Sequence, residues 1–107
     1  MHVDDASRIR HIREAALEAC ALSKGTTRAD LEIDRKLSLA LVRLLEVIGE
    51  AANGISSSYQ RSHPELPWTG MISMRNRLIH GYFDVNLDIV WKTVQDDLPY
   101  LLDKLKP

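Results

Sequence analysis

Apolar positions along this chain recur every three or four residues in four long tracts, the spacing of helices that bury one side. The first tract predicts a helix from about Ala6 to about Leu22. Ile9, Ile12, Ala16 and Ala19 fall together, with Arg10, Glu14 and Glu18 opposite. Asp5 fits its N-cap and Gly25 its stop. "TRAD" (27–30) sets an acid three residues after a threonine, a reduced capping box that opens a short helical turn. The second tract predicts a helix from about Asp34 to about Tyr59. Leu37, Leu41, Leu44, Ile48, Ala51 and Ile55 form its stripe, and Leu39, Val42, Leu45 and Ala52 widen it past one face. A helix this broadly apolar makes contacts on two sides, either at the centre of a bundle or against another subunit. Gly49 within it lowers helix stability by roughly 1 kcal/mol relative to alanine, which close approach of another helix would explain.

"SSSYQRSHPELPW" (56–68) is a connection punctuated by Pro64 and Pro67. Pro67 suits the start of the next helix, where a missing N–H costs nothing. That helix spans about Trp68 to about Ile79, buries Met71, Met74 and Leu78, and ends at Gly81. Asn86 is the N-cap of a fourth, with Asp88 at its positive end and a stripe of Leu87, Val90, Val94, Leu98, Leu101 and Leu105. Pro99 interrupts this stripe and predicts a kink or break near Asp96 to Leu98. "NG" at 53–54 lies within helical periodicity, so no β-hairpin signal survives. The expected architecture is all-α: one domain over residues 1–107, with four main helices in an antiparallel bundle and one extra short helical turn.

Composition narrows the function classes. The formal net charge is −1, so a polyanion would have to be held by a local cluster rather than a broad basic surface. No stretch approaches the roughly 20 apolar residues of a membrane span, and the N-terminus carries no signal-peptide pattern. The one cysteine, Cys20, excludes an internal disulfide and reads as a small buried hydrophobe. These features point to a reducing, cytoplasmic setting without membrane attachment. His2, His11 and His63 form no ligand set, so no metal and no cofactor are expected. Trp68 and Trp91 read as packing residues.

The chemistry concentrates in "MRNRLIHGYFDV" (74–85). Arg75 carries a permanent charge on a fork that fits phosphate oxygens, and His80 moves protons near neutral pH. Together they suit phosphodiester cleavage. The imidazole would take the proton of a ribose 2′-hydroxyl or supply one to the leaving oxygen, and the guanidinium would stabilise charge growing on phosphorus. A five-residue offset on an ideal helix separates them by roughly 140° and roughly 7.5 Å. Either Gly81 unwinds the last turn, or two subunits pool their side chains across a two-fold axis. The same residues also fit a plain role, capping carbonyls at a helix end. Glu46 and Glu50 read as a polar helix edge or partners for an arginine, with Glu50 a second candidate for orienting Arg75 or His80.

Taken as a whole, Arg75, four residues, His80, one residue and Tyr82 resemble the R-x4–6-H-x-Y motif of HEPN-domain proteins. "LEVIGEAANGIS" (45–56), "HPELPW" (63–68), "MRNRLIHGYFDVNLDIVW" (74–91) and "DLPYLL" (97–102) resemble the HepT-like branch, in order and across residues 5 to 105. The resemblance implies a helical bundle that forms a homodimer, each motif lining a shared cleft, and a metal-independent endoribonuclease acting on RNA. It assigns Arg75 and His80 as the catalytic pair. Asn76 orients a phosphate or His80, and Arg77 adds charge to the cleft. Tyr82 matches the tyrosine that a partner, a minimal nucleotidyltransferase antitoxin, modifies with AMP. The fold also hosts noncatalytic members, so the alternative is a helical subunit that binds a nucleotide or the nucleotidyltransferase.

Overall fold

The computed structural model describes residues 4–81 and 85–106, and His80 by its backbone alone. Within these residues the chain forms helices and no strand. α1 (Asp5–Ser23) and α3 (Arg35–Gly54) are the long ones. α2 (Asp30–Ile33) and α4 (Ser57–Ser62) are short, and α5 is Trp68–His80. The C-terminal helix is composite: α6 (Leu87–Lys92), a π-helical turn (Thr93–Asp97) and α7 (Leu98–Lys104). Counting the composite as one, the four main helices are those expected.

α3 is central, packed against α1 and α5 and touched by α2 and α6. This is what its wide apolar arc requires. Leu37, Leu41, Leu45, Ile48 and Ala52 are buried along it, while Leu39 remains 55 % exposed. α1 contributes Ile12 and the alanines Ala15, Ala16 and Ala19, whose small side chains suit close packing on α3. Val90, Val94, Leu98 and Leu101 close the core from the C-terminal helix. Trp68 is buried too, and its indole N–H donates to the His63 carbonyl at 2.9 Å. Cys20 is half-buried, and that burial pushes its thiol pKa up.

The helix starts follow local chemistry, with one reassignment. Asp4, not Asp5, caps α1, accepting from the Ser7 N–H at 2.8 Å. Asp5 turns away to Ser56, accepting from its N–H at 3.0 Å and its hydroxyl at 2.6 Å. This clasp joins the start of α1 to the N-cap of α4, just beyond the end of α3, as the antiparallel packing of α1 and α3 requires. It also accounts for a second difference. The helix expected to reach Tyr59 stops at Gly54, because Ile55 is extended (φ −74°, ψ 139°) and Ser56 begins α4 by capping the Tyr59 N–H. The Ala52 carbonyl accepts from the Ile55 N–H at the helix end, and the Gln60 side chain donates to it and to the Ile55 carbonyl, which closes the break.

At the other chain end the break falls where Pro99 placed it. The Leu98 N–H bonds to Thr93 O, five residues back, in the turn preceding Pro99. Widening the ladder there makes room for the proline ring, which an α-turn would drive into a carbonyl. Gly25 ends the α1 turn with φ +79°, as a stop glycine should. Asn86 caps α6 through the N–H groups of Asp88 and Ile89. Arg28, just before α2, holds Asp88 at 2.7 Å, so the start of α6 is tied to the segment that leads into α2. No described helix is long and apolar enough to cross a membrane.

Candidate active site

α5 carries the cluster, and its geometry begins with a glycine on the neighbouring helix. Gly49 is buried on α3 where α5 crosses it. A Cβ at Gly49 would overlap the Arg75 Cβ and stand 2.8 Å from the Met71 carbonyl oxygen and 2.9 Å from the Arg75 Cγ. The close approach expected for this glycine is therefore made by the turn of α5 that bears Arg75. Sequence reading found the glycine but not its partner. A glycine inside a strong helix signals contact without naming the other side.

Arg75 is half-buried. Its Nη1 donates to Asn76 Oδ1 at 2.9 Å. Its Nε is buried without a hydrogen-bond partner. An unsatisfied buried donor costs about 1–3 kcal/mol, and more when charged. Among the described residues no carboxylate lies within ion-pair distance of Arg75. Glu46 and Glu50 are occupied elsewhere: Arg43 Nη1 lies 3.6 Å from Glu46 and 3.9 Å from Glu50. Glu50 thus takes the arginine partner foreseen for it, on its own helix. Its immediate neighbour Gly49, rather than its carboxylate, touches Arg75.

Asn76 and Arg77 are exposed on α5. The helix runs through His80, and the Gly81 N–H bonds to Arg77 O at 2.8 Å with φ −102°. Gly81 therefore does not unwind the last turn, because the regular i→i−4 bond persists to the helix end. The angular offset between positions 75 and 80 stands, and no single helix face holds both. The side chain of His80, and Tyr82 entirely, lie outside the described residues. An apolar groove of about 340 Å³, walled by Leu45, Ile48, Met71, Met74, Leu98 and Tyr100 among others, runs between α3, α5 and α7 without involving Arg75.

The described residues thus form an all-α domain on one central helix, with a half-buried arginine that lacks a carboxylate partner on a helix, α5, that ends in histidine and glycine. Residues 12–107 match the model of the family described as Ribonuclease HepT-like, and the chain belongs to that family. It is 41 % identical over 103 residues to "Probable ribonuclease HepT" of Thermococcus cleftensis, spanning 96 % of this chain and 87 % of that protein. It is 33 % identical over 88 residues to "Putative RNase MJ1380" of Methanocaldococcus jannaschii, spanning 82 % of this chain and 81 % of that protein. No solved structure matches the chain.

Proposed function

We propose that this protein is an endoribonuclease that cleaves RNA by attack of a ribose 2′-hydroxyl on the adjacent phosphorus. Arg75 binds the phosphate and stabilises the charge that grows on its non-bridging oxygens. His80 takes the proton of the 2′-hydroxyl or returns one to the departing 5′-oxygen. The products are a 2′,3′-cyclic phosphate and a free 5′-hydroxyl, so no external co-reactant is consumed. Asn76 orients the guanidinium, and Arg77 adds charge beside it. The observation that carries this reading is the half-buried Arg75 guanidinium, which has no carboxylate within ion-pair distance among the described residues. A cation kept partly out of water without a counter-charge is a ready partner for a phosphate.

Since positions 75 and 80 diverge around α5, the reading includes two copies of the chain, with the arginine of one facing the histidine of the other. Neutralisation fits the same cleft. A minimal nucleotidyltransferase that transfers AMP to the Tyr82 hydroxyl would place a bulky anion beside the arginines and exclude RNA by volume and charge. The chain is then the toxin of a toxin–antitoxin pair. The test is cleavage of end-labelled RNA by wild type, Arg75→Ala and His80→Ala. Wild type is expected to leave cyclic-phosphate ends, with each variant at least about a hundredfold slower. Equal rates for His80→Ala and wild type would remove the reading.

A further inference from the structure

We propose that Gly49 is a positioning residue for catalysis: the absence of a side chain on α3 sets the depth of α5 and so the point from which the Arg75 guanidinium meets the phosphate. The proposal rests on the reading of Arg75 as the phosphate-binding group. Three observations carry it. The atoms a Cβ at Gly49 would strike are the stem of Arg75 and the backbone oxygen of Met71, not the free end of a flexible side chain. Backbone yields only if the whole helix shifts. The tip of Arg75 is tied to Asn76, so stem and tip are fixed at two points with the Nε–H left over between them.

The other helical glycines behave differently. At Gly54 the space is taken by the far end of the Arg8 side chain, which can swing away. At Gly70, on α5 itself, the nearest atom to an added Cβ is Pro67 Cβ at an ordinary 3.9 Å. Only Gly49, among these, couples its own bareness to a site residue. Catalysis by a fixed donor tolerates little displacement, and a shift near 1 Å costs on the order of a hundredfold in rate.

The test compares full-length wild type, Gly49→Ala, Gly70→Ala and Arg75→Ala. Cleavage kinetics are read beside the salt dependence of binding to an RNA blocked by a 2′-deoxy substitution at the cleaved site. Gly49→Ala is expected to lose at least about tenfold in kcat, with KM rising as the ground-state contact to the phosphate weakens. Its log K against log salt slope should flatten to that of Arg75→Ala, by about one unit for each phosphate no longer neutralised. Gly70→Ala should match wild type in both. A folded Gly49→Ala with wild-type kcat and slope overturns the proposal, and so does a slope unchanged while only thermal stability falls. If Gly49→Ala does not fold, a crystal structure of wild type with the 2′-deoxy RNA decides. Arg75 bonded to phosphate, with its Cβ and Cγ still against Gly49, supports the proposal. Arg75 on the phosphate but lifted off Gly49 overturns it and leaves the ribonuclease reading intact. A phosphate bound away from Arg75 overturns both.

Discussion

Arg75 is held by its stem against Gly49, and its Nε–H is buried without a partner. Arg75→Lys separates the two contributions. Lysine keeps the Cβ and Cγ that lie against Gly49, keeps the charge, and puts a methylene where Nε–H was buried. Removing an unsatisfied donor relieves a cost of about 1–3 kcal/mol, so the variant is expected to unfold at the same temperature as wild type or several degrees higher. Its kcat/KM should nevertheless fall about a hundredfold, because a point charge cannot grip two phosphate oxygens as a fork does. Calorimetry and RNA cleavage on the same preparation check both halves. A variant that is both less stable and fully active would contradict this account of the site. Much of this residue-level picture was legible in advance. The motif named Arg75, and the helix-breaking character of Gly49 announced a tight contact. What the sequence could not supply was the pairing of the two, because periodicity assigns faces to helices and not registers between them.

The elements are joined by short-range polar contacts, and the one between α1 and α4 makes an acid-sensitive joint. The Ser56 hydroxyl, and after it the Ser56 N–H, hold the Asp5 carboxyl below the usual carboxylate range. The Ser7 N–H does the same for Asp4. A folded pKa below the unfolded one means the unfolded chain binds protons first. The stabilisation is therefore complete above the unfolded carboxylate pKa, about 3.9, and disappears as pH falls through the lower folded value. Ser56→Ala is accordingly expected to lower the melting temperature more at pH 7 than at about pH 2, where only the pH-independent loss of the Tyr59 cap remains, as thermal scans across that range would show. Equal losses at both pH values would mean Ser56 acts through the Tyr59 cap alone. This joint also explains where sequence reading overran. The apolar period continues through Ile55, which is buried, and Tyr59 stays in contact with the core, so the stripe carries no mark of the interruption. The mark was Ser56, an N-cap residue directly after a glycine and an isoleucine. It competes with helix continuation only because Asp5, some fifty residues earlier, is there to bind it. Pro99 was easier to place, since a proline acts through its own ring and needs no distant partner.

At the scale of the whole molecule, charge and symmetry have to be reconciled. A chain of net charge −1 offers RNA no general attraction, and Arg75 and Arg77 of one copy make only a small positive patch. Two copies meeting over this face would bring four guanidinium groups to one cleft, a focused field rather than a basic surface. The unbroken helical turn at His80 makes the same demand from geometry, since it keeps positions 75 and 80 on different faces of α5. If each reacting centre takes its arginine from one copy and its histidine from the other, defects in different copies should complement. Arg75→Ala and His80→Ala chains are each expected to be inactive alone. Unfolded together and refolded as a mixture, about half of the dimers formed at random contain one of each, and each such dimer retains one intact arginine–histidine pair across the two-fold axis. Recovered cleavage should then approach a quarter of the wild-type rate at equal protein concentration, because half of the dimers carry one of two sites. Mixing without unfolding should recover activity only as fast as the copies exchange. A refolded mixture that stays as inactive as its components would place both groups of a working site in one chain, and the helix through His80 would then have to open for the reaction to occur.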